Sequence, residues 1–250
     1  MRREIVDYLL MLPNDLLLAQ CFGVPLLSIT GVIWYLSSYF ATLFIIGPFI
    51  KYKYDIFTKL IAPLIVLGGY GLLLRNYGTI CVAGEYYNNL ISCGLIRILA
   101  DVSLGILVYE YFYKKFATIV FSNNQIIILS LIEIILYVLL FLYMTKWVEG
   151  ELHHDERFLF LLALALCLTL SQQTILANVL DNKLSICLGK FSTYLFLCHY
   201  YIVENSGQIL NAIIPHITNT YLIQNISIVL SFFNTIIIYI VLRLVKKSKR

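Results

Sequence analysis

Residues 125–145 read QIIILSLIEIILYVLLFLYMT. A helix over this run of about 20 residues is about 30 Å long, the thickness of a bilayer's hydrocarbon core. Its one ionisable residue is Glu133. No polar face is present, so the run does not fit a surface helix of a water-soluble domain. Working outward, similar apolar stretches fall at roughly 32–50, 57–74 and 94–113 on one side, and at 158–176, 189–210 and 222–245 on the other. The pattern predicts an all-α fold, a polytopic membrane helix bundle of about seven transmembrane helices.

Composition agrees. Of 250 residues, 60% are hydrophobic and only 13% charged, against about 25% charged in ordinary soluble domains. Nineteen tyrosines and fifteen phenylalanines suit interface belts and helix packing. The net charge of +4 gathers in a few loops and in the tail Lys246, Lys247, Lys249 and Arg250. That distribution reads as membrane topology and not as nucleic-acid binding.

The loops set the orientation. Lys51, Lys53, Lys59, Lys114, Lys115, Lys183, Lys190 and the tail fall on one side if every stretch crosses. The other side carries Arg75, Lys146 and Arg157 among Glu85, Glu149, Glu151, Asp155 and Glu156. The first group is expected to be cytoplasmic, with the N-terminus outside and the C-terminus inside. Three parts follow: an extracytoplasmic or interfacial segment over 1–31, a membrane domain over 32–245 and a basic cytoplasmic tail over 246–250. The expected location is the plasma or inner membrane, crossed several times.

Charge at mid-bilayer costs roughly 2.5–3.5 kcal/mol on insertion scales, so each polar group in an apolar stretch needs an explanation. Arg97 and Asp101 stand four residues apart and share a helix face. They form either a self-neutralising pair or an arginine turned toward a polar cavity. Glu110 and Lys114 have the same spacing and read as a helix-surface pair. Ser192, His199 and Ser206 recur every seven residues, one stripe on one helix. His199 either bonds a neighbouring helix or lines a substrate channel. Glu133, Gln172 and Gln173 are expected to hydrogen-bond between helices. Trp34 reads as an interface anchor. His153 and His154 read as a solvated loop. Cys81 and Cys93 share a loop and are close enough in sequence to pair. No CxxC, P-loop, GxSxG or HExxH is present, and no metal site is expected.

Residues 188–199 read LGKFSTYLFLCH. This string resembles the LGK-(I/F)-S-Y-x-(I/L)-Y-L-x-H segment of the acyltransferase-3 family, integral membrane O-acyltransferases that decorate cell-surface glycans. Residues 34–37, WYLS, resemble that family's W-Y-L-S at the start of a middle helix. Residues 94–97, GLIR, followed by LG at 104–105, are similar to its arginine-containing helix. The order and spacing of the three segments cover most of the chain. Members of the family have about ten spans. A histidine near their first span and an arginine-rich motif after their second are absent from this sequence. The chain therefore matches the family's C-terminal seven-helix portion, and an odd number of absent spans agrees with an outside N-terminus.

The resemblance implies acyl transfer, O-acetyl in the first instance, from cytoplasmic acyl-CoA to a cell-surface polysaccharide or a lipid-linked sugar. His199 would act as general base on a sugar hydroxyl. Arg97, Trp34, Ser192 and Tyr194 would contact substrate, with Arg97 holding an oxyanion or the acceptor. Activity is expected to need a partner chain carrying the absent helices, and membrane lipids are the remaining partners. Two rivals stand beside this reading. One is a glycan or lipid transporter or flippase, whose marks are repeated halves and broken helices. The other is a non-catalytic membrane subunit.

Overall fold

The computed structural model describes residue 18 and residues 33–82, 85–88, 91–148, 155–213 and 220–248. The segment over 1–31, apart from Leu18, and the His153–His154 pair lie outside the described residues. The protein is mainly α-helical, as the sequence predicts. The chain divides into two compact units, one built on Tyr35–Asp181 and the other on Asn182–Arg250 together with Trp34.

The first unit holds α1 (Ile33–Tyr52, from Tyr35 on), α2 (Tyr54–Tyr77), α3 (Cys93–Val108), α4 (Asn123–Val148), α5 (Asp155–Leu170) and α6 (Ile175–Leu180). Two of these runs, Tyr54–Tyr77 and Asn123–Met144, are long and apolar enough to cross a membrane. Their outward faces are oily: Leu67 is 73% exposed and Phe141 67%.

α1 turns Ser37, Ser38, Ala41, Thr42 and Ile46 inward. Ile46 packs on Phe57 and Ala62 of α2 and on Leu99 and Val102 of α3. α2 contains a π-helical turn over Phe57–Ile61, directly before Pro63. Proline has no N–H to give to the carbonyl four residues back, and its ring crowds that carbonyl. The wider turn absorbs this mismatch; Ala62 donates to the Phe57 carbonyl, five residues earlier. α2 ends where Gly78 adopts φ +71° and its N–H bonds the Leu74 carbonyl at 2.9 Å.

A short antiparallel hairpin follows, with Tyr86 opposite Ser92 and Tyr87 opposite Ile91. It delivers the chain to α3, which crosses α2 closely at Gly69. A Cβ on Gly69 would lie 3.1 Å from the Ala100 Cβ. Leucine at position 69 is therefore expected to push α3 away and cost about 1–3 kcal/mol. Alanine should cost a fraction of that. Unfolding of the two variants in detergent will measure the difference.

Past Val108, α3 continues through a second π-helical turn, Tyr109–Tyr113, into Lys114–Thr118. α4 starts where the Gln125 side chain reaches back, its Oε1 accepting from the Ser122 N–H at 2.9 Å and from Ser122 Oγ at 3.1 Å. α4 and α5 pack through Leu136 and Leu140 against Ala165 and Leu168.

The apolar stretch over 158–176 was expected to be one helix, and it is not. α5 stops at Leu170 and α6 starts at Ile175. Between them Gln172 takes φ +56°. Ser171 Oγ donates back to the Leu168 carbonyl at 2.6 Å, and Thr174 Oγ1 accepts from the Ala177 N–H at 3.2 Å as an N-cap. Short hydroxyl side chains thus compete for the backbone and split the helix. Gln172 is exposed, not buried as its position suggested.

The second unit holds α7 (Lys183–Ile213) and α8 (Thr220–Ser248). Asn182 Oδ1 accepts from the Ser185 N–H at 2.9 Å, capping α7. Phe191 stacks on Phe232 with centroids 6.0 Å apart. Ser227, Ser231 and Thr235 are all buried on one face of α8. Each hydroxyl donates to the carbonyl four residues back: Ile223, Ser227 and Ser231 respectively.

Candidate functional site

Arg97 and Asp101 do pair on α3. Arg97 Nε lies 3.6 Å from Asp101 Oδ2, with the side chains 24% and 26% exposed. Nε makes no hydrogen bond, so the attraction there is coulombic. Tyr70 of α2 donates its hydroxyl to Asp101 Oδ1 at 2.6 Å. Arg97 Nη1 reaches the sulfur of Cys81 at 3.5 Å. Cys81 and Cys93 are both free thiols, so the pairing their shared loop allowed is not made.

A cavity of about 540 Å³ opens beside this pair, within the range of small-molecule sites. Asp101 and Tyr70 line it together with Tyr109, Tyr113, Leu162 and Cys167. The helical rise puts Asp101 and Tyr113 about 18 Å apart, with apolar side chains between. Arg97 is not in the wall. It holds Asp101 from one turn away, so the carboxylate is the charged group the cavity presents. Such a space suits a ligand with an apolar body and a hydroxyl or other donor at one end.

A second charged group lies at the Tyr109–Tyr113 turn and just past it. Lys114 Nζ lies 2.6 Å from Glu110 Oε2, which also accepts from the Tyr54 hydroxyl at 2.6 Å. The Glu110 carboxylate, hydrogen-bonded to it, holds the Lys114 ammonium above the ordinary lysine range. Lys114 also sits over the rings of Tyr54 and Tyr109, each 5.5 Å away.

His199, Ser192 and Tyr194 share α7. His199 Nδ1 is 3.0 Å from the Leu195 carbonyl oxygen. A carbonyl only accepts, so Nδ1 is the donor in this contact and Nε2 is the nitrogen not engaged by it. Ser192 Oγ and Thr193 Oγ1 both donate to the Gly189 carbonyl, at 2.8 and 3.2 Å. Tyr194 meets Tyr239 of α8 edge-on, with centroids 5.7 Å apart. Trp34, half-buried, belongs to the same unit, whereas Arg97 belongs to the other. The side chain of Ser206, third in the expected stripe, lies outside the described residues.

Tyr70 went unnoticed in the sequence, since nothing local ties it to a residue 31 positions on. The hydroxyl face of α8 was missed too, although Ser227, Ser231 and Thr235 recur every four residues. Glu133 does bond between helices as expected: it is 0% exposed and accepts from the Thr169 hydroxyl of α5. Among the described residues no three metal-ligating side chains come together. No protein family, curated protein or solved structure matches the chain.

Proposed function

We propose that the protein is a multi-pass membrane O-acyltransferase. In this reading its helices form a seven-span bundle with the C-terminus cytoplasmic, and it moves an acetyl or other acyl group from acyl-CoA to a glycan hydroxyl. The observation that carries it is the 188–199 string together with the placement of its histidine, whose Nδ1 is tied to the Leu195 carbonyl so that Nε2 is the nitrogen left to meet a substrate. A sugar hydroxyl gives its proton to Nε2 as its oxygen bonds to the acyl carbonyl carbon. The carbon–sulfur bond then breaks, and the proton leaves with the thiolate of CoA. Tyr194 and Trp34 serve as acceptor contacts, whereas the Ser192 proton is spent on the Gly189 carbonyl. Arg97 acts at one remove, holding in place the Asp101 carboxylate that the cavity presents to a substrate with an apolar body.

The test is acetate on surface glycan. Cells given labelled acetyl groups and expressing the chain together with a separate polypeptide bearing a histidine-containing three-helix front should ester-link label to polysaccharide; cells with the front alone should not. Unlabelled glycan in every arrangement would overturn the reading.

A second reading, a glycan or lipid transporter, is favoured by the interruption over 171–174. Transport proteins place their sites at discontinuous helices. Acceptor movement across vesicles with no dependence on acyl-CoA would select it.

A further inference from the structure

Glu133 plays no part in acyl transfer, and its position calls for a positive partner. It stands near the middle of α4 with no exposure. Oε1 accepts from Thr169, while Oε2 is buried without any hydrogen-bond partner. Thr169 is itself within 2.8 Å of the Tyr137 hydroxyl and 3.1 Å of the Ala165 carbonyl oxygen. Its single proton cannot serve both Glu133 and Ala165.

The surroundings offer hydroxyls and no charge. One turn before Glu133, Ser130 Oγ accepts the Ile175 N–H at 2.9 Å, pinning the start of α6 to α4. The gap over 171–174 therefore lies alongside this part of α4. The titratable or charged residues of α5 are Asp155, Glu156 and Arg157 in its first turn, about 18–21 Å from Thr169 by helical rise, and Cys167 in the cavity wall. α6 has none. The groups meeting Glu133 are thus the Thr169 and Tyr137 hydroxyls, and no described basic side chain pairs with it. A bare carboxylate in such a place costs several kcal/mol.

We propose that Glu133 binds an exchangeable monovalent cation, a proton or a sodium ion, beside the break between α5 and α6. Either one neutralises the carboxylate. A proton on Oε1 lets the acid donate to Thr169 Oγ1, which frees the Thr169 proton for the Ala165 carbonyl. A sodium ion instead draws on the hard oxygens of Glu133 and neighbouring hydroxyls. Unwound backbone beside a buried acid is a recurrent setting for both ions. The site does not depend on the acyl-transfer reading.

Carbodiimide chemistry tests it on the full chain in detergent. Dicyclohexylcarbodiimide takes the proton of a carboxylic acid, bonds to its oxygen and rearranges to a stable N-acylurea, read by mass spectrometry of the Glu133 peptide. Labelling is expected at acid pH and should decline as the pH is raised, because only the protonated acid reacts. If sodium is a ligand, sodium chloride slows labelling and choline chloride does not. The thermal midpoint of the wild-type protein should move with whichever ion binds, and that dependence should vanish in Glu133→Gln. Absence of label at acid pH, or labelling and midpoint indifferent to both pH and sodium, overturns the proposal.

Discussion

Replacing His199 with alanine is expected to lower acyl transfer by about 10²–10⁴-fold, the usual contribution of a positioned general base. The argument rests on which nitrogen is free. Nδ1 is spent on the Leu195 carbonyl one turn back, so the ring is held by its own helix and turns Nε2 outward from that bond. Alanine removes both the base and the tether. Ser192→Ala is the matched control. That hydroxyl lies on the same face of α7, but its proton goes to the Gly189 carbonyl, so it has none to spare for a substrate acceptor. Its removal should leave most of the rate, and release of CoA thiol in membranes containing the partner helices will compare the two. Equal losses would move the base away from α7. Thermal unfolding of both variants should stay close to wild type, because both side chains bond to carbonyls of their own helix.

Replacing Arg97 with leucine is expected to cost the first unit about 2 kcal/mol. Removing one partner of a fully buried ion pair costs about 3–5 kcal/mol, because the other charge is stranded. Here each side chain keeps about a quarter of its exposure, so water screens part of that penalty. Asp101→Leu should cost a similar amount, and Tyr70 then loses the acceptor at 2.6 Å. The double variant, Arg97→Leu with Asp101→Leu, should recover most of the loss. What remains is the unpaired Tyr70 hydroxyl, about 1 kcal/mol. A double-mutant cycle in denaturant isolates the coupling. Additive losses would mean that the two charges answer to other partners. If the cavity holds substrate, the double variant also separates folding from function, since it restores the fold without restoring the carboxylate that the cavity presents.

What the sequence made legible was what depends on neighbours along the chain. The α4 run is apolar for its whole length, so its helix could be read directly. The Arg97–Asp101 and Glu110–Lys114 pairs follow from four-residue spacing alone. Contacts between helices were a different matter. Tyr70 finds Asp101, and Thr169 finds Glu133, only after separate helices pack. The interruption after Leu170 had a local signal that was passed over: hydroxyls at 171 and 174 flank two glutamines inside an oily stretch. Apolar periodicity outweighed it because the residues on both sides favour helix. For the α7 cluster the helix and shared face were legible, and the His199 ring contact was not, because it depends on a backbone carbonyl rather than a residue type.

The hydroxyls of Ser227, Ser231 and Thr235 have a mechanical consequence. All three protons are spent within their own helix, so this buried face of α8 gives none of them to a neighbour. A face closed on itself in this way packs by dispersion alone. A shift of α8 against whatever covers that face would leave these three bonds intact, since each moves with its own helix.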